Sequence, residues 1–391
     1  MSHLLKLIFG RMPIGWLQLS HSKAKLAAAV AGVAFANILV FVQLGILGAL
    51  NGASVAPYAL FNSDIMISSE DTNTLTDGSN LSRQRMFQAL GVAGVSDATP
   101  LYIATLEWQQ PDGGSSNLQS FGIDPDATPF LSAEISEKLD LLRLPNTLLI
   151  DESTRGASQD QFNDVSRAKP LDFELNGTAV RAVDLIKVGG GFTADGTLFT
   201  SDQTFLSLFP KRIAGAPNHI LVKVADGISI DVVVERLRKV LPGDSVIVRS
   251  VKDAAAADLK YQTTERPTGV IFGFGVLIGV LVGIVIVYQV LATDVSDHLK
   301  EYATFKAMGY DHSFFLGIVF EEALILAVFG FIPGVILASL LYLGLSNATG
   351  LPVEMGLARA VMVFFGTLIA CSISGAIATR RLAGADPADL F

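Results

Sequence analysis

The side chains best suited to chemistry are few in this sequence and stand far apart. Five histidines, His3, His21, His219, His298 and His312, are scattered without the short spacings that ligate a metal. The densest polar group is Asp294, Asp297, His298, Asp311 and His312. It could be imagined as a metal cluster, but such residues are more often helix caps or a solvated face, and no metal is expected. Asp151 and Glu152 are adjacent, so on a strand they point to opposite faces and do not make an acid/base pair. The run Gly189-Gly190-Gly191 invites a phosphate-loop reading, yet no Gly-Lys-Ser/Thr follows, and a flexible loop is expected. Walker A, His-Glu-x-x-His and Gly-x-Ser-x-Gly sequences are absent. The single cysteine, Cys371, permits no internal disulfide. The chain reads as non-catalytic, with no cofactor and no metal of its own.

The elements that would position any site are mostly apolar. Half of the 391 residues are hydrophobic and 17% are charged, below the roughly 25% usual for soluble domains. Four uncharged runs, Leu26–Leu50, Gly269–Thr293, Ala323–Val353 and Ala360–Thr379, each reach the roughly 20 residues that cross a bilayer as a helix. The expected spans are 26–50, 267–293, 319–345 and 360–379. The first starts late and lacks a small-x-small cleavage site, so it reads as a retained span rather than a signal peptide. Lys6, Arg11, Lys23 and Lys25 precede it, Lys300 and Lys306 lie between the second and third spans, and Arg380 and Arg381 follow the fourth. The positive-inside rule then places the N-terminus (1–25), the 294–318 loop with its 294–312 segment and the tail (380–391) in the cytoplasm.

Residues 51–266 would lie outside. They hold 28 acidic and 19 basic residues, net −9, which is the whole formal charge of the chain. Such acidity argues against nucleic-acid binding. The segment reads as α/β. DIMISS (64–69) is strand-like, Leu81–Leu90 helical, and TPLYIATLEW (99–108) extended. The clearest stretch predicts a strand (Ile220–Val224), a turn at Asp226-Gly227, a helix (Ile230–Val240) and a strand (Ser245–Val251). Two β-α-β units thus flank a β-rich insert at about 112–216, where turn signals such as Asn176-Gly177 are dense. The fold class expected is an α-helical membrane protein with four transmembrane helices plus a large α/β extracytoplasmic domain.

Within the spans, Gly275, Gly279 and Gly283 recur at four-residue spacing and predict close helix packing, within the chain or across a dimer. Pro333 should kink the third span. Polar groups inside the spans are few: Asn37, Gln43 and Gln289, with Glu321 and Glu322 at the cytoplasmic end of span three. That is a weak design for an ion or substrate path. The N-terminal HLLKLIFGRMPIGWLQLS predicts an interfacial amphipathic segment anchored by Trp16. Between spans two and three, Asp297 can cap a helix over His298–Met308 that Gly309 ends in the left-handed conformation. Leu299, Tyr302, Ala303 and Met308 give it an apolar side, and Lys300, Glu301 and Lys306 a polar one.

These residues resemble a family. EYATFKAMG, Glu301 through Gly309, is similar to the E-x-x-x-x-[RK]-A-x-G of MacB/FtsX-type ABC permeases. Glu322-Ala323 follows at the familiar distance, and RRLAGADPADLF resembles the family's basic, Asp-Pro ending. PIGWLQLS (13–20) and YQVLATDVSDHLKEYATFKAMGY (288–310) look like the DevC branch, although His298, Lys300 and Tyr302-Ala303 depart from the MacB pattern. The resemblance implies a homodimeric permease whose loop helix (Leu299, Lys300, Glu301, Tyr302, Phe305, Lys306, Met308, Gly309) couples to a separate ABC ATPase carrying ATP and Mg. It further implies a periplasmic membrane-fusion adaptor, a TolC-like outer-membrane channel, and export of glycolipid or other envelope material by mechanical transmission. Alternatives are lipoprotein or lipid extraction without an adaptor, as in Lol-type relatives, and an FtsX-like transmembrane signalling scaffold. An intramembrane enzyme is disfavoured, because no reactive pair occupies a span.

Overall fold

The computed structural model describes residues 14–110, 113–157, 159–189, 191, 194–349 and 353–378. The N-terminal part of the interfacial segment, Gly190 of the glycine run and the RRLAGADPADLF tail lie outside the described residues. In chain order the principal elements are α1 (Ile14–His21), α2 (Lys23–Val55), β1 (Ile65–Ser69), α3 (Gln84–Leu90), β2 (Val95–Gln109), β3 (Ser115–Ile123), β4 (Thr147–Asp151), β5 (Leu171–Leu175), β6 (Thr178–Ile186) and β7 (Gly196–Ser201). They continue with α4 (Asp202–Leu208), β8 (His219–Val224), α5 (Ile230–Val240), β9 (Val246–Ser250), α6 (Val251–Thr264), α7 (Pro267–Asp297), α8 (Leu299–Ala307), α9 (His312–Thr349) and α10 (Leu357–Ala378). The chain divides into a helical unit (Met1–Ala49 with Val270–Phe391) and a sheet unit (Leu50–Gly269).

In the helical unit, α2, α7, α9 and α10 are each long and apolar enough to cross a membrane. They outrun the expected spans: at 1.5 Å per residue, the 33 residues of α2 reach about 50 Å against a hydrocarbon core of about 30 Å. Side chains such as Phe274, Leu281, Ile336 and Phe365 are exposed on the unit's surface, the arrangement a lipid solvent favours.

Small residues set the packing. A Cβ at Gly275 would stand 2.5 Å from Gln43 Oε1, at Gly279 3.3 Å from Val40 Cγ2, and at Gly283 3.1 Å from Ala36 Cβ. The stripe on α7 is therefore used within the chain, against α2. On another side of α2, a Cβ at Gly330 would stand 2.5 Å from Val33 Cβ and one at Gly334 2.9 Å from Asn37 Cβ. Pro333 lies between those two glycines inside an unbroken helix, where its missing N–H leaves the Phe329 carbonyl without the usual donor. Asn37, buried in this packing, accepts at Oδ1 from Thr367 Oγ1 of α10 at 2.5 Å.

The sheet unit carries one nine-stranded sheet among the described residues, in the order β5-β6-β4-β7-β3-β2-β8-β1-β9. The expected pair of flanking β-α-β units is not two separate bodies. β8 pairs antiparallel between β1 and β2, and β9 pairs antiparallel with β1, so the two units interleave as a split β-α-β. Nor is the insert a separate layer, because β2 is 15 residues long. Its first half pairs with β8 and its second half with β3, with Leu101 facing both His219 and Ile123. Residues alternate across the strand: on β1, Ile65 and Ile67 join the core beneath α3 and α5, while Met66 joins the core on the opposite face. Asn176-Gly177 makes the two-residue hairpin between β5 and β6, both residues at positive φ (49° and 77°), as a type I′ turn requires.

A buried polar network ties this unit together. His219 Nε2 donates to Leu75 O at 2.8 Å, which leaves Nδ1 to accept from Ser68 Oγ at 2.8 Å. Asp258 Oδ2 accepts from Tyr58 Oη at 3.0 Å and from Leu75 N at 2.9 Å. Burial holds the His219 imidazole down to about 4 and pushes the Asp258 carboxyl above its usual range.

Candidate functional site

The 294–312 region is built at the ends of α2 and α7 that do not lead into the sheet unit. The α8 helix starts at Leu299, with His298 at its N-cap and no side-chain cap. Asp297 is thus not the expected cap: it is the last residue of α7, and its Oδ2 receives Lys25 Nζ at 2.5 Å. Because α7 stays helical through the charged residues, Asp297 points from a helix rather than from a turn. His298 Nδ1 instead bonds the Asp294 carbonyl at 3.0 Å.

The C-terminal end of α8 follows the sequence expectation closely. Gly309 has φ +90°. Its N–H donates to Lys306 O at 3.0 Å, and Tyr310 N–H donates to Phe305 O at 3.2 Å. Those two bonds make a Schellman motif, and the accompanying apolar contact is the edge-on pair Phe305–Tyr310, 5.7 Å between centroids. Phe314 at the start of α9 completes an aromatic cluster, 4.5 Å from Tyr310 and 5.9 Å from Phe305.

The apolar seat of α8 differs in part from expectation. Leu299 and Phe305 pack on Val295, Phe315, Ile318 and Val319, together with Ile14 of α1. Met308 turns outward at 61% exposure, because it falls beyond the last helical turn. Glu301, Thr304, Lys306 and Tyr310 are exposed with it, so α8 shows a mixed polar and apolar surface while its other side is fastened to α7 and α9. The side chains of Lys300, Tyr302 and Ala303 lie outside the described residues.

The α1 helix contributes what the linear sequence hides. A Cβ on Gly15 would meet Glu322 Cγ at 2.9 Å and Ile318 O at 3.0 Å, so only glycine lets α1 lie this close to α9. Trp16 N–H donates to Glu321 Oε1 at 3.3 Å, and Gln18 Nε2 reaches Glu301 Oε2 at 3.5 Å. The Trp16 ring stacks on Phe329 at 5.9 Å, so it packs on α9 as well as standing near the interface. Glu321 and Glu322, expected as a polar helix end, are fully buried beneath α1. These contacts join positions roughly three hundred residues apart, and no periodicity or motif announces them.

Members of the imagined metal cluster have other partners or face solvent. Asp297 is taken by Lys25, His298 by Asp294, and Asp311 is exposed. Among the described residues no group of three or more metal-type ligands converges. Asp151 accepts from the N–H groups of Ser153, Val188 and Gly189, the last at 2.7 Å, and so organises a turn.

Residues 273–387 match the family described as FtsX-like permease C-terminal, a range that takes in most of α7 and all of α8, α9 and α10. No curated protein matches the chain. Among solved structures, the periplasmic region of MacB from Actinobacillus actinomycetemcomitans is 13% identical, with a TM-score of 0.34, covering 50% of this chain and 92% of that one. The extracellular domain of the noncanonic ABC-type transporter YknZ from Gram-positive bacteria is 9% identical, with a TM-score of 0.33, covering 48% and 98%. A four-span membrane protein whose last three spans form an FtsX-like permease domain is the class that the helices and the family match define. The match is confined to this C-terminal part of the chain, which is similar to FtsX-like permeases.

Proposed function

We propose that the chain is the permease of a tripartite exporter, passing the motion of a separate, ATP- and Mg-binding ATPase to its sheet unit. The observation that carries this reading is α8: one side is locked to α7 and α9 by the Schellman end and the aromatic cluster, and the other presents Glu301, Lys306 and Met308. A helix fastened in this way moves as one body with two spans, which is what force transmission requires. The spans favour transmission over conduction, since few polar side chains are buried in them among the described residues. In this reading both termini and α8 face the cytoplasm of an inner membrane, and the sheet unit lies in the periplasm. The working form is a homodimer, whose sheet units meet a membrane-fusion adaptor leading to a TolC-like channel. Glycolipid or other envelope material is the cargo class.

The test is co-purification of the full chain with its ATPase, scored by stimulated ATP hydrolysis. Glu301→Lys with Lys306→Glu is expected to abolish the stimulation while membrane insertion is retained. Wild-type stimulation in that double variant would remove α8 from the role. Recovery of the ATPase without any adaptor would favour lipid extraction over tripartite export.

A further inference from the structure

A cavity of about 470 Å³ opens where α1 meets α2 and α7 ends. Its floor is apolar, formed by Leu19, Leu26, Ala29 and Val290, and its rim carries His21, Lys25, Asp294, Asp297 and His298. The uncharged runs of α2 and α7 stop at this level. The cavity therefore sits at the depth where acyl chains give way to headgroups. An apolar floor beneath a charged rim at that depth matches an amphiphile.

The rim charges select which amphiphile. Among the described residues that line it, Lys25 is the one permanent cation, set against two carboxylates, and it already bonds Asp297 at 2.5 Å. Asp294 Oδ2 is buried and has no N–H donor among the described residues. Its neighbours are His298 Nδ1 at 3.7 Å and the carboxyl of Glu322, which faces it from α9. A purely anionic headgroup would meet an excess of negative charge. An ammonium offers three donors to Asp294 and Asp297, and a phosphate beside it would face Lys25 and the two imidazoles. We propose that this cavity binds one zwitterionic phospholipid per chain, its ammonium against Asp294 and Asp297 and its phosphate toward Lys25. The site is distinct from the exposed surface of α8.

The test uses the full chain in nanodiscs of mixed phosphatidylethanolamine and phosphatidylglycerol, released into mild detergent, with retained lipid counted by native mass spectrometry. One phosphatidylethanolamine per chain is expected in preference to phosphatidylglycerol. Asp294→Asn with Asp297→Asn is expected to lower its retention about tenfold, the scale of one lost hydrogen bond to a charged group. Ala28→Trp, at an exposed wall position of the cavity, fills the space without touching the charges and is expected to displace the lipid. Equal or greater retention of phosphatidylglycerol by the wild type would overturn the proposal, as would undiminished retention in the Ala28→Trp chain. Retention seen only after deletion of residues 2–13 would also overturn it, by showing that the chain's own N-terminus fills the cavity.

Discussion

Acidification should weaken the sheet unit through His219, and the size of the effect follows from its surroundings. The imidazole is fully buried, donating from Nε2 to Leu75 and accepting at Nδ1 from Ser68. Both bonds suit the neutral ring, and burial holds the group down to about 4 against an ordinary value of 6.5. A histidine whose folded value is depressed contributes no penalty above about pH 6.5, where both states are neutral. As the pH falls below that value, the unfolded chain takes up the proton first, so stability is lost until the folded value is reached. At 1.36 kcal/mol per unit, the total is about 3 kcal/mol, of which about 2 is lost by roughly pH 5. The assay is urea unfolding of the full chain in detergent, followed by the fluorescence of buried Trp108 in a Trp16→Phe background, from about pH 7.5 to about pH 4.5. His219→Gln keeps a donor toward Leu75 and gives up the bond to Ser68, at a pH-independent cost of about 1 kcal/mol. The buried carboxyls Asp258 and Asp151 are common to both chains, so the difference between wild type and variant isolates the ring. That difference is expected to shrink and then reverse as the pH falls. A difference that stays constant across the range would refute the reasoning.

Three further outcomes are expected. Gly15→Val drives a side chain into Glu322 and Ile318, and should cost about 1–3 kcal/mol, read as earlier thermal unfolding and faster proteolysis between α1 and α2. Gly330→Val collides with Val33 in the same way, whereas Gly344→Ala meets nothing within 4 Å. The first should lower the detergent melting temperature, and the second should leave it unchanged or slightly raised, since alanine is the better helix former. Gly309→Ala places a Cβ on a residue at φ +90°, at a cost of about 1 kcal/mol. Loosening of the Schellman end should then appear as faster amide exchange at Tyr310 and a partial loss of ATPase stimulation.

Much of the architecture was legible because it is local. The spans announce themselves by length and absence of charge, and the 219–250 stretch by a change from strand-like to helical periodicity. Ile230–Val240 is helical as expected, and the strands either side fall within a residue or so of their expected ends. The α8 stop at Gly309 and the hairpin at Asn176-Gly177 rest on backbone conformations that few residues adopt, so their identities alone announced them. Where local reading failed, a distant partner was the cause. Asp297 has the right type and place for a cap, but a helix that continues through it turns its carboxylate to Lys25, 272 residues away. Glu321 and Glu322 look like a solvated helix end until α1 is laid over them.

What the sequence determined by itself is the inventory: four spans, an acidic α/β domain, and a short helix with a marked end. Each depends on interactions within a few turns or strands, or on composition. Only the tertiary structure decided which elements share a surface. It spent the α7 glycine stripe on α2 within the chain, made β2 the strand shared by both halves of the sheet, and buried His219 where a neutral ring is required. Those outcomes depend on close approach between residues far apart in the chain, where steric fit and desolvation act and periodicity carries no information.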